Sequence, residues 1–192
     1  TRLRIIDAAR QVFLSKGVSR TSMEQIAAEA GVTRGAIYWH FANKAEIFLA
    51  VKQTYTSEFD QLQTLLMPQA DKSPLATLEN YLQQLFSALL SNTAARETYE
   101  IMMLRCEYVE EFGEVLQIIT EPCADIIDAF DRLYREASAR KELKAGLDPC
   151  LMALDTLAFA RGTLRAILSG QQHIYGKAIQ PLIQAHIDLR RA

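Results

Sequence analysis

The chain has 192 residues, 49% of them hydrophobic and 23% charged, with a formal net charge of −2. This is length for one large or two small domains and apolar content for a packed core, which excludes a disordered or fibrous chain. No run approaches the roughly 18 apolar residues of a membrane helix, and the three cysteines, Cys106, Cys123 and Cys150, follow no disulfide or metal-ligand spacing, so they read as reduced thiols of a cytoplasmic protein.

From Arg2 to Ser15, Ile5, Ile6, Ala9, Val12 and Phe13 recur at helical spacing before Lys16 and Gly17, which predicts an amphipathic first helix. Thr21 with Glu24 makes a capping-box signature, so a second helix starts near Ser22, buries Ile26 and Ala27, and stops at Gly31. Val32 turns inward, and Thr33 caps a third helix in which Ile37 and Phe41, four apart, share the buried face. Two short helices joined by a three-residue turn with glycine are the helix-turn-helix pattern.

The other side of the third helix carries the chemistry. Thr33, Arg34, Gly35 and Ala36 occupy its first turn, where side chains reach base edges if the helix enters a major groove, and small Gly35 and Ala36 permit close approach. Arg34 and Tyr38 are expected to face the groove. Thr21, His40 and Lys44 offer donors to phosphate oxygens, and Ser22 and Trp39 complete the expected DNA-binding set. A helical hairpin in which Tyr38 and Trp39 only pack is the alternative. Residues 1 to 55 hold 8 Lys and Arg against 4 Asp and Glu, and the rest 13 against 19, so the positive charge lies with this motif.

Asn43 with Glu46 forms another capping box, and Ile47, Phe48, Val51, Tyr55, Phe59, Leu62 and Leu66 continue one apolar stripe. This long connecting helix places a boundary between a helix-turn-helix domain, residues 1–48, and a larger domain, residues 49–192. Pro68, Asp71, Ser73 and Pro74 form a linker, with Ser73 capping a helix that runs to Asn92. A helix follows from Ala94 to Val109, and another from Glu114 to Ala139 that Pro122 should kink or divide near Thr120. Asp148 and Pro149 open a helix over Leu151 to Ser169 that Gly170 stops, and the last helix runs from Gly176 to Arg190. No period-two strand occurs, so the fold class is all-α.

TSMEQIAAEAG followed by VTRGAIYWHFANKAEIF resembles the DNA-binding signature of TetR-family transcriptional repressors over residues 4 to 55. EIMMLRCEY, from Glu100 to Tyr108, is similar to a stretch in the branch that regulates multidrug efflux pumps. The resemblance implies a three-helix DNA-binding domain joined by a long helix to a helical ligand-binding and dimerisation domain. It implies a homodimer on a palindromic operator, released by a small hydrophobic effector; separately, a start at Thr1 without methionine leads us to expect a few residues before it.

Same-face residues suggest where those functions lie. Leu78, Leu82 and Leu85, with Met103, Ile126, Phe130, Leu157 and Arg161, are expected to line an apolar ligand cavity. In the resembled branch a mostly neutral or acidic pocket accompanies cationic drugs, so Arg161 would favour anionic or phenolic compounds. Leu164, Ile167, Leu168, Leu182, Ile183 and Ile187 are expected at the dimer interface, with intramolecular core as the alternative.

His40, His173 and His186 are too scattered for a metal site, and no HExxH, GxSxG, phosphate-loop or dinucleotide motif occurs. Neither a catalytic centre nor a cofactor is therefore expected. The acidic cluster Glu107, Glu110 and Glu111 reads as a solvated helix face. A regulator of a metabolic operon with its own ligand and a helical adaptor that binds no DNA are the competing functions.

Overall fold

The computed structural model describes residues 1–67, 71–109 and 112–192, and of 121–123 the backbone alone. Pro68 of the expected linker, Glu110 and Glu111 of the acidic cluster, and the Cys123 thiol lie outside the described residues. The described residues form α1 (Arg2–Lys16), α2 (Met23–Glu29), α3 (Arg34–His40), α4 (Lys44–Leu62), α5 (Pro74–Ser91), α6 (Thr93–Leu104), α7 (Gly113–Ala139), α8 (Pro149–Ala166) and α9 (Gln172–Asp188). A 3-10 turn, Gln63–Leu66, follows α4. Among the described residues the extended pairing is one isolated bridge between Leu143 and Arg191, so the fold is all-α.

The chain forms two compact units: Thr1–Ser57 with Thr93–Ile119, and Glu58–Asn92 with Thr120–Ala192. The sequence alone suggests one boundary between 48 and 49. Instead, α6 and the first turns of α7 group with the N-terminal helices, because Ile101, Met102, Phe112 and Val115 sit in the same core as Ile5, Phe13, Ile37 and Phe48. Two of the three chain crossings between units fall inside the continuous helices α4 and α7.

In the first unit, the α1 guanidinium of Arg10 pairs with Glu97 of α6, and the Val18 amide donates to the Arg105 carbonyl at 2.9 Å. That second bond gives the chain after α6 another use, and the Tyr108 hydroxyl closes the Met102 carbonyl at 2.7 Å. The helix therefore stops at Leu104, five residues before the expected Val109. The expected division of α7 near Thr120 is also corrected: the helix is continuous from Gly113 to Ala139. A proline removes one helical donor, and here the apolar faces on both sides, Phe112 and Val115 before it and Phe130, Leu133 and Tyr134 after it, are buried.

In the second unit the expected caps are made: Ser73 accepts from the Ala76 amide at 3.3 Å and Asp148 from Leu151 at 2.9 Å, each before a proline at the first helical position. Gly170, at φ 91°, ends the penultimate helix across a kink at Ile167–Gln171. A buried polar chain joins three helices: the Tyr134 hydroxyl lies 2.7 Å from Thr156 Oγ1, which lies 3.1 Å from His186 Nε2. His186 stacks on Phe159 at 4.0 Å.

Burial pushes the His186 imidazole down from 6.5 to about 4, with the Arg190 cation adding and Asp155 opposing. An unfolded chain takes up this proton near 6.5, the folded chain only near 4. The unfolded state thus binds more protons between these values, and stability falls as pH drops through that window. Urea unfolding from pH 7 to 4 should show this loss, and His186→Gln should flatten it; an unchanged slope in the variant would place the sensitivity elsewhere.

Candidate nucleic-acid interface

The second helix starts one residue later than Thr21 suggests. Ser22 is its cap: Ser22 Oγ accepts from the Gln25 amide at 3.3 Å, and Gln25 Oε1 accepts from the Ser22 amide at 3.0 Å. Both Thr21-x-x-Glu24 and Ser22-x-x-Gln25 fit the box in sequence. The structure uses the second because the Thr21 hydroxyl turns inward and donates to the Gly17 carbonyl at 2.7 Å, leaving Thr21 buried. Its hydroxyl is not on the outer face where a phosphate contact was expected. Glu24, released from capping, is exposed.

Gly31 leaves α2 at φ 61°, and a Cβ there would lie 3.2 Å from Arg4 Nη2. Arg4 reaches across from α1 and donates to the Ala30 carbonyl at 2.6 Å, so the turn is closed by glycine and by a cation together. Thr33 Oγ1 then accepts from the Ala36 amide at 3.2 Å and starts the seven-residue α3. Ile37 and Phe41 are buried, as their four-residue spacing predicts. These local bonds fix α3 at one angle on α1 and α2.

Thr33, Arg34 and Gly35 are exposed, Trp39 is 84% exposed and Tyr38 44%, while Ala36 and His40 are half-buried. A Cβ on Gly35 would meet nothing closer than 4.0 Å, so internal packing does not demand glycine there. Tyr38 and Trp39 are not enclosed in the core of the first unit. Arg34 Nε lies 3.4 Å from Glu24 Oε1, and its guanidinium sits 5.7 Å from the Tyr38 ring centroid. Lys44, at the start of α4, is half-buried with Nζ 5.6 Å from the Phe112 ring centroid. Arg4 and Glu24 were not legible as members of the site, since each acts through a partner on another helix.

The residues expected around a ligand divide between the units. Leu78, Leu82 and Phe130 are fully buried in the second, with Phe130 edge-on to Tyr81 at 5.7 Å. Leu85, Ile126 and Leu157 are half-buried there, and Arg161 is exposed. Met103 is exposed and belongs to the first unit. The second unit also has an open groove of about 540 Å³ between α5 and α9, lined by Gln83, Leu90, Lys177 and Ile183 and by none of the expected ligand residues.

Of the expected interface residues, Ile167, Leu168, Ile183 and Ile187 are buried by their own chain, which corrects their assignment to a partner surface. Leu164 is half-buried and Leu182 is exposed. Both helices have two apolar faces, and the outer ones consist instead of Leu151 and Leu154 on α8 and Leu182 and, just past α9, Leu189.

A short, capped helix braced by a second one, presenting a small, cationic and aromatic face outward, defines a helix-turn-helix DNA-binding protein. Residues 5–51 match the family described as bacterial regulatory proteins, tetR family. Over 165 residues the chain is 33% identical to the HTH-type transcriptional regulator TtgR of Pseudomonas putida (strain DOT-T1E), covering 86% of this chain and 79% of that one. NalD, the secondary repressor of the MexAB-OprM multidrug efflux pump in Pseudomonas aeruginosa, has a crystal structure matching with a TM-score of 0.84 at 30% identity, covering 100% of this chain and 96% of NalD. A complex of SmeT with triclosan matches with a TM-score of 0.72 at 30% identity, covering 98% of this chain and 88% of SmeT. The chain belongs to the tetR family of bacterial regulatory proteins and is related to repressors of multidrug efflux. It is a transcriptional regulator, not an enzyme.

Proposed function

We propose that this protein is a cytoplasmic repressor that binds a palindromic operator, controlling a multidrug efflux pump, as a homodimer and leaves it when a small hydrophobic ligand occupies its second unit. The exposed face of α3, opposite buried Ile37 and Phe41, is the observation that carries the DNA-binding half. One such helix contacts only a few base pairs, and a two-fold pair doubles the contacts at half-sites roughly 34 Å apart. The outward Leu151, Leu154, Leu182 and Leu189 support a dimer through α8 and α9, since pairing would withdraw these four side chains from solvent.

The similarity to NalD and to the triclosan complex of SmeT supports the efflux operon and the ligand. The ligand site proposed is the apolar interior of the second unit around Leu78, Leu82, Leu85, Ile126, Phe130 and Leu157, with the exposed Arg161 on the same unit. A ligand that fits only one of two arrangements of α4 lowers DNA affinity by its differential affinity for them and no more.

Operator duplex selected from genomic fragments tests the reading directly. Lys44→Ala should weaken binding to all sequences and shallow the salt dependence by about one ion, whereas Arg34→Ala should cost about 1 to 3 kcal/mol at particular bases. Hydrophobic anions should then dissociate the complex better than cations if Arg161 lies at the site. A wild-type chain that shows no duplex preference in low salt would overturn the repressor reading.

A further inference from the structure

Glu24 is a carboxylate on the face that must meet a polyanion, placed in the first turn of α2, where the helix dipole favours an acid. The cap of α2 is made by Ser22 and Gln25, so Glu24 does not close the helix start. Its partner is Arg34 of the reader helix, Nε to Oε1 at 3.4 Å, and the same guanidinium lies 5.7 Å from the Tyr38 centroid. Both side chains of the ion pair are more than half exposed, 74% for Arg34 and 51% for Glu24, so the pair contributes little to stability. Its consequence is geometric. One contact comes from α2 and one from α3, and together they set where the Arg34 guanidinium rests on the outer face.

With its Nε edge toward Glu24 at 3.4 Å, the guanidinium keeps its two terminal amino groups for other acceptors, and a paired donor set of that kind spans the O6 and N7 acceptors of guanine. We propose that Glu24 is a positioning and specificity residue: it orients Arg34 for a guanine in each operator half-site. Its charge also penalises contacts with phosphates when that guanine is absent. Non-specific affinity comes almost wholly from phosphate neutralisation, so a fixed anion on the reading face lowers it while a correct base pair still rewards Arg34. This rests on the DNA-binding reading above and adds to it the base that is read and the residue that makes the reading selective.

The test uses the full chain with three duplexes: the selected operator, the same operator with the guanine of each half-site replaced by adenine, and random sequence. Glu24→Gln keeps size and an acceptor but removes the charge. It should bind random duplex about 3- to 10-fold more tightly with a salt slope steeper by about one ion, and lose at least about 5-fold of its discrimination against the replaced guanine. Arg34→Ala should lose the same discrimination, and the double variant should lose no more than Arg34→Ala alone. Discrimination is a ratio on one protein, so lower stability of α2 in the variant does not alter it. If Glu24→Gln shifts all three duplexes equally, the carboxylate serves only helix α2 and the proposal is overturned. A wild-type chain that binds no duplex overturns the DNA-binding reading itself, a result distinct from unchanged discrimination in a chain that binds.

Discussion

Phe48→Ala should cost the first unit about 3 to 5 kcal/mol, the range for deleting a buried aromatic ring whose site cannot collapse. Phe48 is 2% exposed and is touched by three rings: Phe13 at 6.1 Å, Tyr108 at 6.4 Å and Phe112 at 5.4 Å, the last two edge-on. The rings come from α1 and from the segment leading into α7, so no single neighbour can relax into the space. Such pairs contribute about 0.5 to 1.5 kcal/mol beyond the area they bury. Urea denaturation followed by helical circular dichroism measures the loss, and a cost below about 1 kcal/mol would show that the cluster is not a keystone. Phe48→Leu should recover most of it.

The same ring bears on regulation. Phe48 lies on α4, which begins four residues after the reader helix, and it packs on Phe112, the residue just before α7. Both helices continue into the second unit along the chain. A displacement of α7 by a ligand would therefore reach α4 through this contact. Under the proposed mechanism, Phe48→Ala should bind ligand as before but release DNA less, with the coupling of about 1 to 3 kcal/mol usual for such systems much reduced.

Local chemistry explains which features the amino-acid sequence discloses. Gly31, Thr33, Asn43, Ser73, Asp148 and Gly170 all act within four residues of themselves, and each ends or starts a helix where its side chain or its missing Cβ predicts. The slip from Ser22 to Thr21 arose where two overlapping boxes are equally good locally. The hydroxyl that settles it bonds to Gly17, outside either box.

Features that depend on distant partners are invisible at that range. The helical period reports that Ile183 and Leu182 are both apolar, but not that Ile183 faces its own core and Leu182 the outside. The period of α6 likewise runs past Leu104 because nothing in it signals that Val18 will claim the Arg105 carbonyl. The role of Glu24 in the site depends on α3 lying against it, and that arrangement follows from packing, not from spacing.

Glu97→Ala should destabilise the first unit by about 1 to 3 kcal/mol, below the range for breaking a fully buried ion pair, because this pair is only partly buried. Arg10 is the less exposed member, with its side chain 14% exposed against 29% for Glu97, and the two residues are 87 apart in the chain. Around the same guanidinium, the Tyr55 ring of α4 lies 4.9 Å away, its hydroxyl bonds to Asp7, and the Asp7 carboxylate is 3.9 Å from Arg10. One cation thus ties α1, α4 and α6. Asp7 and Tyr55 remain in the variant and soften the loss. Replacing both partners with apolar residues, Arg10→Met with Glu97→Leu, should restore most of the stability, because no charge is then left buried without its counterion. Recovery in the double variant identifies the cost as an orphaned cation. If the double variant is as unstable as the sum of its single changes, the pair acts through shape, and the electrostatic account of the α1 to α6 contact is wrong.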